Sequence, residues 1–235
     1  DWVTGRVVIH QASIEGQNPL RKRKAMRDLG LLEGRRIAIG IRDGNILFIV
    51  DIEHVGMDMV HEKCVGPGTE VIDVGGKVVM PGFIDPHTHL VFAGSREFEL
   101  RLKLQGKSYM DILAAGGGIL STVRMTREAS MEHLLEQARK RADTMLLHGT
   151  LTAEAKSGYG LDMETELRSL EVIRQLNNAH HIDLVATYLG AHAIPPGYYL
   201  DPERYVDLMV ERILPQVAEQ GIARFCDIFV EEGVY

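Results

Sequence analysis

The sequence predicts an α/β protein. A small β-sheet region covers residues 1–80, and a run of parallel βα units follows over residues 81–235. Three observations carry this reading. Short β-rich segments broken by glycine turns fill the first part. In the second part, apolar strand-like segments near 78–84, 150–155, 183–190 and 225–230 alternate with stretches of helical periodicity. No glycine-rich phosphate fingerprint follows the first of these strands, which argues against an open doubly wound sheet. Four strands are visible where a closed barrel of this kind has eight, so the second part reads as the first half of a (β/α)8 barrel.

Taken in order, Val7–Ile9, Arg36–Ile41 and Asn45–Val50 are rich in β-branched residues, and Asp43-Gly44 is a hairpin signal. Val71–Val74 and Lys77–Met80 flank Gly75-Gly76, which predicts another tight turn. Residues 14–34 fit no such pattern and are expected to be loose. Gly116-Gly117-Gly118 follows no strand and is expected to be a mobile loop. Ser130–His148 carries Leu134, Leu135, Ala138, Ala142, Met145 and Leu146 on one helical face, with Ser130 as N-cap. Asp162 stands ready to cap a helix with the stripe Leu167, Leu170, Ile173 and Leu176. Asp201-Pro202 predicts a helix start, Gly221 its stop, and Pro215 a kink or break between them.

At 235 residues the chain can hold one large domain or two small ones, and 45% hydrophobic with 25% charged residues is a globular composition. A net charge of −7 without a long basic stripe excludes nucleic acid and anionic membrane as expected partners. The basic cluster Arg21-Lys22-Arg23-Lys24 with Arg27 reads as a solvated turn. The longest apolar run, near Ile46–Val50, is too short to span a bilayer. Cys64 and Cys226 have no metal-type spacing, and with no secretory signal they fit a reduced cytoplasm. Asp1 is not an initiator methionine, and Tyr235 directly follows a strand-like segment, so the chain is expected to be the front part of a longer one.

The chemistry begins at Val-Val-Met-Pro-Gly-Phe-Ile-Asp-Pro-His-Thr-His (78–89). Residues two apart on a strand share a face, so His87 and His89 would present two imidazoles to one divalent metal, zinc or iron. Two ligands do not complete a catalytic zinc site, which usually has three and an open position. Barrel active sites lie at the C-terminal strand ends. There the sequence offers Glu154, Lys156 and Tyr159, then His192, then Glu231 and Glu232, with Arg96 and Tyr109 on the loop after the first strand. Each has a structural alternative. Arg96 can pair with Glu97 or Glu99, Glu154 and Lys156 can neutralise each other, Tyr159 can anchor its own loop, and His192 can be a satisfied core residue. His10, His54, His61, His133, His148, His180 and His181 have no convergent partners and read as surface or helix-end residues.

Five runs in order give a resemblance: Pro-Gly-Phe-Ile-Asp-Pro-His-Thr-His-Leu-Val-Phe-Ala-Gly-Ser-Arg-Glu (81–97), Ala-Ala-Gly-Gly-Gly-Ile (114–119), Lys-Ser-Gly-Tyr-Gly-Leu (156–161), Tyr-Leu-Gly-Ala-His-Ala (188–193) and Asp-Ile-Phe-Val-Glu-Glu-Gly (227–233). From about residue 36 onward the chain resembles the amidohydrolase superfamily and, within it, the imidazolonepropionases of histidine degradation; residues 10–35 fit poorly. The resemblance implies a metal-dependent barrel beside a small β-sandwich built from both chain ends. It implies hydrolysis of the ring amide of 4-imidazolone-5-propanoate to N-formimidoyl-L-glutamate. His87 and His89 would bind zinc or iron; Arg96, Tyr159 and His192, with Tyr109, would line the substrate pocket, His192 acting in catalysis. The family's other ligands, a histidine and an aspartate, and its catalytic glutamate lie later in the fold, with no matching motif here. A homodimer is consistent with the resemblance. Another amidohydrolase activity such as nucleobase deamination, and a catalytically incomplete binding module, are the competing readings.

Overall fold

The structure, a computed structural model, describes residues 2–8 and 31–230 and divides into two compact units, Asp1–Pro81 and Gly82–Tyr235.

The first unit runs β1 (Trp2–Val8), β2 (Leu31–Arg42), β3 (Asn45–Asp51), α1 (Ile52–Val55), α2 (Met57–Cys64) and β4 (Val71–Val79). Its sheet has the order β3-β2-β1-β4, with β1 antiparallel to β2 and parallel to β4. The hairpin at Asp43-Gly44 forms as expected, both residues taking positive φ. Side chains alternate faces: Ala38 packs with Ile52 and Val60 from the helices, while Ile37 and Ile39 pack with Ile49 and Val79. The all-strand expectation for this part is corrected by α1 and α2. Asp51 starts α1 by accepting the Glu53 N–H at 2.9 Å. Gly75-Gly76 is likewise not a hairpin turn. The pairing jumps from Thr4↔Asp73 to Arg6↔Val78, so the glycines form a bulge within one strand, held by Gly75 N–H on Asp73 Oδ1 at 2.8 Å. Residues 31–34 belong to β2 and are not loose. His10 and the basic cluster at 21–27 lie outside the described residues. Among the described residues this unit has one sheet, without the second sheet a sandwich requires.

The second unit runs β5 (Phe83–Thr88), α3 (Glu97–Leu104), α4 (Tyr109–Ala114), α5 (Ile119–Glu128), α6 (Met131–Leu147), β6 (Thr150–Lys156), α7 (Met163–Ala179), β7 (Asp183–Ala191), α8 (Pro202–Leu208), α9 (Leu214–Gln220) and β8 (Phe225–Ile228). Its sheet is parallel throughout, in the order β5-β6-β7-β8. The strand expected over 78–84 is two strands: its first residues finish the first unit's sheet, and β5 begins at Phe83. Ala153 and Ala155 of β6 and Leu184, Ala186 and Tyr188 of β7 meet Leu134, Ala138 and Ala142 of α6 and Leu170, Ile173 and Leu176 of α7. Small alanines on the strands let the helices approach the sheet.

The caps read from sequence form. Ser130 accepts the His133 N–H at 3.2 Å, Asp162 that of Thr165 at 2.7 Å, and Asp201 that of Arg204 at 3.4 Å. Pro215 is absorbed by a π-turn over Met209–Ile213 before α9, and Gly221 ends that helix with a φ of 65°. Gly117 and Gly118 are buried, and Gly118 donates its N–H to Glu99 Oε1 at 2.7 Å, so the expected mobile loop is a packed turn. Among the described residues no helix is long and apolar enough to cross a membrane.

Candidate active site

Four of the sequence-predicted site residues, His87, His89, Tyr159 and His192, converge where the parallel strands end. His87 is the penultimate residue of β5 and His89 lies just past its end; Tyr159 follows β6 and His192 follows β7. His89 is the hub. Its ring stacks on His192 (centroids 4.6 Å apart, 10° between planes), lies 4.8 Å from Tyr159, and is 5.8 Å from His87. Thr88 points away, donating its hydroxyl to the Glu154 carbonyl at 2.6 Å, which ties β5 to β6 between the two histidines.

Burial, then the neighbouring His192 and His87, lower the His89 pKa to about 4, so the ring is neutral near pH 7. Its Nδ1 is buried and has no hydrogen-bond partner among the described residues. A neutral imidazole with an unclaimed buried nitrogen beside a second imidazole suits a divalent metal. The donor set stops there: no group of three or more His, Cys, Asp or Glu positioned for a metal occurs among the described residues. His192 Nδ1 lies 2.8 Å from the Gly158 carbonyl and must carry the proton. Burial lowers the pKa of His192 as well, so its neutral ring turns Nε2 outward as an acceptor.

Beside this cluster is a cavity of about 540 Å³ whose lining includes Phe92, Arg96, Glu99, Gln137, Arg141 and Tyr159. Arg96 is paired, as its structural alternative required, and the partner is Glu99: Nε to Oε1 at 2.7 Å and Nη2 to Oε2 at 2.9 Å. The hydrogen bond from Arg96 holds the buried Glu99 carboxyl below the usual range. Arg141 lies 3.5 Å from the Phe92 ring centroid and donates Nη1 to the carbonyls of Leu90 and Phe92, at 3.0 and 2.9 Å. It thereby fixes the backbone that leads from His89 to Arg96. Tyr109 starts α4, is 64% exposed and is not among the cavity's lining residues. Glu231 and Glu232 lie outside the described residues.

Glu154 and Lys156 pair at 2.7 Å, and Lys156 also reaches Asp227 of β8 at 2.8 Å. Thr187 donates to Glu154 Oε1 at 2.6 Å, so the Glu154–Lys156 pair ties three strand ends together. Two residues that sequence reasoning missed hold the Tyr159 loop. Glu166, wholly buried, accepts the N–H groups of Gly158 (3.0 Å), Gly160 (2.7 Å) and Leu161 (2.9 Å). Arg127 takes the loop's carbonyls, Gly160 at 2.7 Å and Leu161 at 3.0 Å. The signal for Glu166 was present: it falls on the apolar stripe with Leu170 and Ile173, where a carboxylate needs a purpose. His180 caps the end of α7, as a helix-end residue should, but it has a partner: its Nε2 lies 3.0 Å from Asp143 Oδ1.

The sequence profile of the amidohydrolase family matches residues 70–225. The chain belongs to the amidohydrolase family. Curated relatives similar to it include imidazolonepropionases, which bears out the resemblance read from the five runs. That of Alkaliphilus metalliredigens is 50% identical over 97% of this chain and 52% of its own length. That of Geobacillus kaustophilus is 46% identical over 92% of this chain and 50% of its own length. The chain therefore spans about half the length of the curated relatives it matches. The solved structure of 5-methylcytosine deaminase from Klebsiella pneumoniae aligns at 13% identity and a TM-score of 0.47, over 90% of this chain and 41% of that one. For this amidohydrolase, the four parallel strands are the half-barrel sheet, and the histidine cluster lies at the end where such barrels carry their chemistry.

Proposed function

We propose that the protein hydrolyses the ring amide of 4-imidazolone-5-propanoate, giving N-formimidoyl-L-glutamate in L-histidine breakdown. The observation that carries this reading is one cluster of His87, His89, Tyr159 and His192 beside a cavity containing Arg96. The imidazolonepropionase names of its relatives support it. In the reading, His87 and His89 hold one divalent metal, zinc or iron. Such an ion polarises a carbonyl and lowers the pKa of water. Arg96 receives the propanoate carboxylate, with Tyr159 in the same cavity wall. His192 touches the ring and accepts one of its N–H groups through Nε2. The flat imidazolone ring suits the flat walls that Tyr159 and His192 offer.

Residues 1–80 are, in this reading, the N-terminal part of a composite β-sandwich, and residues 81–235 the first half of the barrel. The enzyme works in the cytoplasm on a small molecule and forms a homodimer. Arg96→Met tests the substrate assignment. A charge-assisted bidentate contact contributes about 1.5–3 kcal/mol, so KM should rise roughly 10- to 100-fold with kcat changed less. An unchanged KM removes the propanoate from Arg96 and favours a tail-less substrate such as a nucleobase.

A further inference from the structure

We infer that Glu99 is a positioning residue for substrate recognition, setting the free edge of the Arg96 guanidinium. The inference rests on the reading that Arg96 receives the substrate's carboxylate. Arginine has five N–H groups along three edges. Glu99 occupies the edge formed by Nε and Nη2, at 2.7 and 2.9 Å. That leaves Nη1 and the second Nη2 hydrogen as an end-on fork of the width a carboxylate needs.

Glu99 is itself fixed. Its side chain is 8% exposed, and its Oε1 also accepts the Gly118 N–H at 2.7 Å. A Cβ on Gly117 would sit 2.7 Å from the same oxygen, so the glycine turn is shaped around this carboxylate. One acidic side chain thus joins the loop carrying Arg96 to the turn that opens α5. Without it the guanidinium would sweep through several rotamers in a cavity of about 540 Å³, and each substrate would have to order it on binding. With it, the fork is oriented before substrate arrives. The pair also leaves Arg96 and Glu99 jointly neutral, so recognition depends on geometry more than on net charge.

The test compares Glu99→Gln with wild type in the metal-loaded enzyme, using 4-imidazolone-5-propanoate and the same ring without its propanoate tail. Gln offers Nε2 where Oε2 accepted Nη2, or Oε1 if the amide turns over, so one arm of the pair is lost either way. The expected result is a KM about tenfold higher for the tailed substrate with a smaller change in kcat. The preference for the tailed ring over the tail-less one should fall by a similar factor. Glu99→Asp should recover less than half of the loss, since its shorter stem cannot reach both nitrogens. A merely structural role predicts that both substrates lose kcat/KM equally, leaving the preference intact; that result overturns the inference while Arg96 keeps its role. If Arg96→Met itself leaves KM unchanged, the functional reading falls and this inference falls with it.

Discussion

Glu166→Gln removes one acceptor from a buried carboxylate on which three backbone N–H groups converge. Oε1 serves Gly160 and Leu161, and Oε2 serves Gly158. The Gln amide can turn its oxygen toward the first pair or toward Gly158, never both, so its Nε2 must face at least one N–H. A buried donor without an acceptor costs about 1–3 kcal/mol. At roughly 2–4 °C per kcal/mol for a chain of this length, a loss of about 2 kcal/mol lowers the unfolding midpoint by about 4–8 °C. Glu166→Ala leaves all three donors unpaired and should cost more. The loop so loosened carries Tyr159, which touches both His89 and His192, so KM should rise as well. Scanning calorimetry and steady-state kinetics on the same preparations read both effects. A Glu166→Gln midpoint within about 1 °C of wild type would refute the reasoning.

His87→Ala should abolish stoichiometric metal and turnover together, read by elemental analysis of the purified protein; retained metal removes His87 from the ligand set. Thr88→Val keeps shape but loses the 2.6 Å bond to the Glu154 carbonyl. It should cost about 1 kcal/mol and weaken metal retention about tenfold in a chelator competition; unchanged retention means the bond does not orient the histidines. The two buried glutamates should respond oppositely to acid. Glu99 has a lowered pKa, so its contribution is present above the ordinary glutamate value of about 4.3 and is lost as pH falls through its folded-state value. Burial raises the pKa of Glu166, so its protonation begins at higher pH in the folded chain than in the unfolded one, and acid favours the folded state at this group. Unfolding midpoints from pH 3 to 7 should therefore show the gap between wild type and Glu99→Gln closing on acidification. A constant gap would contradict the lowered pKa.

Periodicity was a good guide wherever an element is stabilised by its own stripe. The Ser130 and Asp162 helices lie where their caps and leucines predicted them, because caps and apolar spacing act locally. It failed at α1 and α2, which are short, and at Gly75-Gly76, where a turn signal serves a bulge because β1 supplies the partner. In the site, the ring-bearing residues were legible because each ends a strand with a motif. Glu99 and Glu166 were harder. A buried carboxylate reads like any exposed one until its N–H donors are known, and those come from irregular segments, the 158–161 loop just before Glu166 and Gly118 well after Glu99. Arg141 was harder still, since it acts through carbonyls some fifty positions away.

The strand order of the parallel sheet also bears on how the molecule is made. Each new strand joins the edge laid down by the one before, β6 on β5, β7 on β6 and β8 on β7. The sheet can therefore grow in step with synthesis, every addition needing only chain already emerged. The first unit cannot assemble that way. Its β1 lies between β2 and β4, so the amino-terminal strand waits with one side unpaired until the segment ending at Val79 has been translated. A nascent chain halted before β4 should offer that side to proteases and chaperones, and one halted after it should not.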